Sequence, residues 1–317
     1  MGDISRRGLL VASASLITSG PALSMPAEAD MNTTDKSFAL TRPAHVGAAH
    51  LVVRDLDTTA EFYRSMLGLK TIETGMSGVV LGTGGVPLLT LTTQGDVAAA
   101  PRGAAGLFHN AFLMPNRQEL AHWLYHAANR GVRLDGSADH LVSEAIYLSD
   151  PEGNGIEIYA DRPVDAWAFN SDGTVQMDTL ALDLQALYDS APKSEWGGMA
   201  DGAGLGHIHL QVGDIPAADQ FYEGVLGLKK MATVPGASFF GSGSYHHHVA
   251  ANIWRSRKAG PRSGNLSGLK GYSVIFNEKP ALDTALKTLD AMEIPVTRNA
   301  DGHLIKDPWG IALTLSA

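Results

Sequence analysis

Histidine is the residue type in this chain with the widest chemical use. The sequence contains 12 histidines and no cysteine. The lack of cysteine excludes disulfide bonds, thiolate ligands and a cysteine nucleophile, so a metal would have to be bound by nitrogen and oxygen atoms. His246, His247 and His248 are consecutive, and strand alternation would put His246 and His248 on one face. Because histidine exchanges protons near neutral pH, such a cluster is suited to acid–base chemistry.

The bulk composition predicts a globular protein that does not bind nucleic acid or anionic lipid. The 317 residues are 44% hydrophobic and 18% charged, which suggests two domains of ordinary size. The formal net charge is -9, without the basic clusters that bind nucleic acid or anionic lipid. We therefore expect neither nucleic acid nor a membrane as partner.

Residues 1–29 have the parts of an export signal. Arg6 and Arg7 precede a short apolar run, and the segment ends in Ala27-Glu28-Ala29. The run is too short to span a bilayer. The paired arginines resemble a twin-arginine signal, which implies export to the periplasm and a mature chain that begins near Asp30. The alternative is a disordered basic tail.

An internal repeat determines the expected architecture. Residues 50–70 read HLVVRDLDTTAEFYRSMLGLK, and residues 209–229 read HLQVGDIPAADQFYEGVLGLK. Each copy predicts a strand followed by a helix, and Gly68 is suited to end the first helix. Three short strands are expected after the helix, and the pattern recurs four times. The sequence thus predicts an α+β fold of four βαβββ units.

The four units divide between two tandem domains. We place the first domain at residues 43–163 and the second at 205–317. Residues 164–204 form a connector, in which residues 178–189 have a helix-like pattern.

The repeated motifs resemble the vicinal oxygen chelate superfamily, which includes glyoxalase I, fosfomycin-resistance proteins and type I extradiol dioxygenases. The resemblance rests on the Phe-Tyr-x-x-x-Leu-Gly-Leu helices and the Asp-Pro-x-Gly turns at Asp150 and Asp307. It is greatest to two-domain catechol 2,3-dioxygenase-like proteins, through residues 139–157 and the run Tyr245-His-His-His. It implies two tandem vicinal oxygen chelate domains.

The resemblance also implies a metal site. In this superfamily two units pair into a cup, and the ligands lie on the first strand of each unit and the last strand of one. The positions implied are His109, Glu157 and His207, and the mirror positions hold Ala48, Gly271 and Thr314. One set is complete and the other is blank. A complete cup requires units 2 and 3 to pair across the two halves, so we predict this swapped pairing.

Two histidines and one carboxylate are the facial triad of non-haem Fe(II) oxygenases, although Mn(II) or Zn(II) would also fit. Tyr147 stands where extradiol enzymes carry a substrate-binding tyrosine, and His248, with His246 on the same face, is expected as the acid–base histidine. Asp139 and His140 match a further motif, but their gap to the tyrosine is two residues longer here. His50 and His209 occur in both repeats and are expected to be structural.

The resemblance implies a metal-dependent extradiol ring-cleavage dioxygenase that uses a catechol-type aromatic substrate and O2. One alternative is a glyoxalase-like isomerase or lyase, or a thiol transferase, on the same fold. Such enzymes tend to use a second carboxylate, which the last strand of the third unit lacks. Another alternative is a non-catalytic small-molecule binding protein, against which the complete ligand set argues.

Overall fold

The computed structural model describes residues 37–317. The predicted export signal at residues 1–29 lies outside the described residues and stays a prediction. Among the described residues, no helix is long and apolar enough to cross a membrane.

The described chain contains sixteen strands, four in each of the predicted units. In chain order they are β1 (Ala44–Val52), β2 (Lys70–Gly75), β3 (Gly78–Thr83), β4 (Val86–Thr92), β5 (Gly106–Leu113), β6 (Gly136–Asp139), β7 (Ser143–Ser149), β8 (Gly155–Asp161), β9 (Gly204–Gln211), β10 (Lys229–Val234), β11 (Ala237–Gly241), β12 (Val249–Asn252), β13 (Gly268–Phe276), β14 (Thr297–Asn299), β15 (Gly302–Lys306) and β16 (Ala312–Ser316).

Each unit has a helix between its first and second strands, and the connector carries one more. The helices are α1 (Leu56–Leu67), α2 (Arg117–Asn129), α3 (Leu184–Asp189), α4 (Ile215–Asp219), which continues into a π-helical turn (Gln220–Val225), and α5 (Lys279–Ala291). The predicted fold of four βαβββ units is therefore confirmed.

The strands form two eight-stranded sheets, and each sheet combines units from both halves of the chain. The first has the order β14-β15-β16-β13-β1-β4-β3-β2, and the second β10-β11-β12-β9-β5-β8-β7-β6. In every unit the last strand lies parallel to the first. The two first strands at the centre of each sheet are antiparallel. Unit 1 thus pairs with unit 4 and unit 2 with unit 3, which confirms the swapped pairing.

Local sequence signals explain where the repeated helices begin and end. The Asp55 carboxylate accepts a hydrogen bond from the Thr58 backbone N–H and so caps α1, and Asp214 caps α4 in the same way. Gly68 adopts a left-handed conformation, with φ of 63°, directly after α1. These caps turn the chain back toward the sheet at a fixed point, which sets the register of the strands that follow.

Strand alternation gives each sheet two different faces. Leu51, Tyr63 and Phe112 belong to one large apolar core that both sheets share with the helices. On the opposite face of the second sheet, Ala111 and Tyr159 belong to a smaller cluster. The side chains on this second face of β5, β8 and β9 are the ones that can face a ligand.

The connector is more extended than predicted. The helix expected at residues 178–189 begins only at Leu184, where the Asp183 side chain accepts a hydrogen bond from the Ala186 N–H. Upstream, Leu180 and Asp139 exchange two backbone hydrogen bonds. This pairing with the edge of the second sheet replaces the first turns of the helix, because tertiary contacts override local propensity.

Candidate metal centre

Three adjacent strands in the middle of the second sheet bring His109, Glu157 and His207 together. They lie on β5, β8 and β9, respectively. Ala111 of β5 is the register partner of both Glu157 and His207. His109 precedes Ala111 by two residues, so all three side chains project from the same face. The three are only 6%, 3% and 2% exposed, respectively.

The spacing of the three side chains fits a bound metal ion. The Glu157 Oε2 atom lies 2.9 Å from His109 Nε2 and 3.3 Å from His207 Nε2. The two imidazole Nε2 atoms are 3.4 Å apart. Ligand atoms bound about 2.1 Å from one ion at octahedral or tetrahedral angles would lie about 3.0–3.4 Å from each other. The arrangement therefore suits three ligands that occupy one face of a metal.

The protonation states at this site also favour metal binding. Burial lowers the pKa of His207 to about 4, with Glu157 opposing the shift only in part, so the imidazole is neutral. Burial alone would raise the pKa of Glu157, but the electrostatic interactions and hydrogen bonds of its carboxylate with His207 and His109 lower it well below its usual range. A metal requires neutral imidazoles and an ionised carboxylate, and the pKa shifts of His207 and Glu157 are both toward the form that binds a metal.

The mirror positions in the first sheet cannot bind a metal. Ala48 has no ligand atom, and neither has Gly271. A side chain at Gly271 is also excluded by space, since an added Cβ would lie 2.6 Å from the backbone oxygen of Ala312. The close packing of β13 against β16 thus excludes a ligand side chain at Gly271.

Tyr147 lies beside the three side chains and belongs to a hydrogen-bonded chain. It is the register partner of Glu157, and its ring centroid is 5.6 Å from that of His109. The Tyr147 hydroxyl is 2.7 Å from His140 Nε2, and His140 Nδ1 is 2.7 Å from the Asp178 carbonyl oxygen. Because a carbonyl can only accept, His140 Nδ1 is the donor. When His140 is neutral, its Nε2 accepts the Tyr147 proton, which leaves the tyrosine oxygen free to accept from a substrate.

His247, and neither His248 nor His246, lies on the wall of the cavity above the three side chains. His248 Nε2 lies 3.1 Å from the Ala39 carbonyl oxygen, and its Nδ1 accepts a hydrogen bond from the Ser242 N–H. The predicted face was wrong for a physical reason. The three histidines precede β12 in an irregular turn, so the alternation of a strand does not extend to them.

His246 has a different place, behind His247. The His246 Nε2 atom lies 2.9 Å from Asp161 Oδ1, and its Nδ1 atom lies 2.8 Å from His247 Nδ1. The ionised carboxylate of Asp161 can only accept, so the His246 Nε2 proton points to it. In neutral His246 the Nδ1 atom must then accept from His247, which leaves the Nε2 lone pair of His247 unprotonated. Burial lowers the pKa of His247 well below its usual range and maintains this neutral form.

The two histidines of the repeated motif have comparable partners. His209 Nε2 lies 3.0 Å from the Asn252 amide nitrogen, and His50 Nε2 lies 2.8 Å from the Thr92 hydroxyl. Each residue therefore ties the first strand of its unit to the last, as expected for a structural histidine. His209 also forms part of the cavity wall.

The site opens into a cavity of about 820 Å³ on the same face of the second sheet. Its walls include Phe108, Phe239 and Trp254 from the two central units, together with connector residues between 170 and 179. The Val175 N–H donates to the Met231 carbonyl, which holds this part of the connector against β10. The connector wall and the Asp161–His246–His247 chain were missed in the sequence, since neither follows a periodic pattern. The run Tyr245-His-His-His was the one available signal for the histidine chain.

Comparison with known proteins agrees with this architecture. Residues 42–158 and 204–315 match the Glyoxalase/Bleomycin resistance protein/Dioxygenase superfamily. A catechol-2,3-dioxygenase of Bacillus subtilis (strain 168) is 35% identical over 268 residues, which are 83% of this chain and 94% of that protein.

Solved structures share the fold at low sequence identity. Glyoxalase I from Zea mays is 16% identical, with a TM-score of 0.53 over 88% of this chain and 94% of that chain. The cppA protein from Streptococcus pneumoniae TIGR4 is 11% identical, with a TM-score of 0.51 over 86% of this chain and 99% of that chain. With two matched repeats and a relative above 30% identity, the chain belongs to the glyoxalase/bleomycin resistance protein/dioxygenase superfamily, the vicinal oxygen chelate proteins that its motifs resemble.

Proposed function

We propose that this chain is a metal-dependent extradiol dioxygenase, which opens the ring of a catechol-type substrate with O2. One observation carries the proposal. His109, Glu157 and His207 converge on one buried face below a cavity whose wall also holds Tyr147 and His247. The 35% identity to a protein named catechol-2,3-dioxygenase supports the same reaction class.

The proposed metal is Fe(II), with Mn(II) or Zn(II) as the alternatives that two imidazoles and one carboxylate would also accept. When bound, the ion would supply the positive charge that lowers the pKa of a catechol hydroxyl, and open positions for the substrate oxygens and O2. His109, Glu157 and His207 would hold it from one side.

The protein's own groups would manage the protons. His247 presents an unprotonated Nε2 atom to the cavity, so it is placed to take a proton from a substrate hydroxyl and to return it after the ring opens. His246 and Asp161 hold the tautomer that makes this possible. Tyr147, whose proton is directed to His140, would accept a hydrogen bond from the second hydroxyl and orient the ring. Both oxygen atoms of O2 would enter a semialdehyde product.

The site's composition argues against the isomerase and thiol-transferase alternatives. Among the described residues, the candidate metal group contains a single carboxylate. Strand β12, next to His207, offers only Val249, Ala250, Ala251 and Asn252. The complete ligand set similarly argues against a purely binding role. Export by residues 1–29 remains part of the proposal and would be tested by the size and compartment of the mature chain.

Metal analysis of anaerobically purified protein, followed by O2 uptake with catechol, tests the proposal. We expect iron in the protein and a yellow ring-opened product equimolar with the O2 consumed. Zinc occupancy without O2 consumption would contradict the dioxygenase function and leave the isomerase reading.

A further inference from the structure

We infer that the natural substrate is an uncharged catechol with a large apolar substituent, such as a second aromatic ring, and that it lacks a carboxylate. This inference rests on the proposed function and specifies its substrate class. It depends on the size of the cavity, on the aromatic side of its wall and on the charges around its mouth.

The cavity is too large for a single ring. Its volume is about 820 Å³, and pockets of about 300–1,000 Å³ take ligands the size of drugs. A catechol held at His109, Glu157 and His207 would occupy only the inner end. The remaining volume would hold water against apolar side chains, which is unfavourable unless a substituent displaces it.

An unbroken series of aromatic rings leads from the metal ligands to solvent. The His209 ring centroid is 4.8 Å from both His109 and Phe108. Trp254 continues the series at 5.4 Å from Phe108 and 5.5 Å from His209. These separations are those of stacked or edge-on aromatic pairs, so a substrate ring could join the series with the same geometry.

The outer end of this series is apolar and exposed. Trp254 is 49% exposed, although its indole N–H donates to the Pro235 carbonyl and fixes the ring. Val234, also on the cavity wall, is 40% exposed. Large apolar side chains that stay exposed at a cavity mouth mark a surface that an apolar ligand covers.

The charges at the mouth disfavour a carboxylate. Of the described residues that line the cavity, Lys230 is the sole lysine or arginine. Its ammonium lies 2.8 Å from Asp219 and 4.0 Å from Glu223, so its charge is already compensated. Asp172 and Asp178 add negative charge to the connector wall. A substrate carboxylate that projects into this cavity would therefore meet the like charges of Asp172 and Asp178.

Two measurements test the inference. The first compares kcat/KM for 3-phenylcatechol, catechol and 3,4-dihydroxybenzoate. We expect 3-phenylcatechol to exceed catechol by about 10- to 100-fold, as burial of a phenyl group implies, and 3,4-dihydroxybenzoate to be the poorest. The second measures the binding of 2-phenylphenol and phenol without O2, by calorimetry. Neither compound has the two adjacent hydroxyls of a catechol, so the binding measurement does not depend on the activity of the enzyme.

Trp254→Ala should weaken 2-phenylphenol binding by about tenfold and leave phenol binding unchanged, whereas Trp254→Phe should restore most of the affinity. Met76→Ala, at a side chain that is 97% exposed and outside the cavity lining, is the matched control. If catechol or the carboxylate is cleaved as well as 3-phenylcatechol, the inference is overturned while the dioxygenase function stands. If no diol is cleaved but the 2-phenylphenol preference and its Trp254 dependence hold, the function fails and the ligand class stands.

Discussion

The two eight-stranded sheets are built from the same four-stranded unit, yet among residues 37–317 only the second sheet has a group of side chains that could hold a metal. The difference extends beyond the ligands to their neighbours across the strands. In the second sheet, the bulky His109 is paired with Gly155 of β8. In the first sheet, Gly271 is paired with Ala312 of β16.

The glycine of the pair thus lies on the last strand of its unit in the second sheet (Gly155 of β8) and on the first strand of its unit in the first sheet (Gly271 of β13). An added Cβ at Gly155 would lie 2.0 Å from the Phe108 backbone oxygen, and one at Gly271 would lie 2.6 Å from the Ala312 oxygen. Each sheet therefore tolerates a side chain on one strand of the pair only. Substituting ligand residues at the three mirror positions would therefore not be enough to create a metal site in the first sheet, because β16 would also have to move away from Gly271.

The largest expected effect separates the ligands from their mirror positions. His109→Ala, Glu157→Gln and His207→Ala should each lower metal affinity by at least about 100-fold and abolish activity. Thr314→Ala, at the mirror of Glu157, should leave the metal content unchanged. Metal content by mass spectrometry, with circular dichroism to confirm folding, measures both. Full metal retention in any of the first three variants would refute the assigned site.

The next effect compares His247 with His248. Loss of a general base costs about 10²–10⁴ in rate, so His247→Ala should reduce kcat by that factor while the metal stays bound. His248→Ala should leave kcat within about threefold but lower the free energy of unfolding by about 1–3 kcal/mol, because the Ser242 N–H loses its acceptor and the Ala39 carbonyl keeps only the Arg42 N–H. Stopped-flow kinetics and urea unfolding distinguish the two. A large kcat loss in His248→Ala alone would reverse the assignment.

The contrast between these histidines shows how far sequence reasoning reaches. The convergence of His109, Glu157 and His207 was implied by the family resemblance, and the three positions could be assigned because they lie on regular strands that carry repeated motifs. His247 was not, because Gly243 and Ser244 take positive φ values of 54° and 66° and rotate the chain out of strand geometry just before it. The connector wall depends on pairing with distant strands, which no local pattern encodes.

A smaller effect tests the two glycine-containing pairs themselves. Gly155→Ala should destabilise the protein by about 3 kcal/mol or more, since the new methyl group meets a backbone oxygen that cannot rotate away. It should also weaken metal binding, because His109 follows Phe108 directly. Ala312→Gly in the first sheet should cost only about 1 kcal/mol. Urea unfolding of the metal-free variants gives both values, and equal costs would remove the argument that the two pairs are packed in opposite senses.

The last comparison concerns the two Asp-Pro turns, at Asp150 and Asp307, each of which contacts a buried tyrosine of a helix. Tyr63 donates a hydrogen bond to Asp150, and Tyr222 donates one to Asp307. The Asn154 side chain donates a further hydrogen bond to Asp150. The corresponding residue after Asp307 is Ile311, which contributes only its backbone N–H. Burial raises the pKa of both carboxyls, and that of Asp307 reaches about 6.

This difference predicts a pH dependence that originates in the first sheet. Because the pKa of Asp307 is higher in the folded chain than in the unfolded chain, its contribution to stability is fully present below about pH 4 and is lost as the pH rises through 6. The shift from 3.8 to about 6 corresponds to roughly 3 kcal/mol. Asp307→Asn should remove this slope. Urea unfolding of the metal-free protein between pH 4 and pH 8 measures it, with Asp150→Asn as the matched variant. If Asp150→Asn flattens the profile and Asp307→Asn does not, the Asn154 amide is not what distinguishes the two turns.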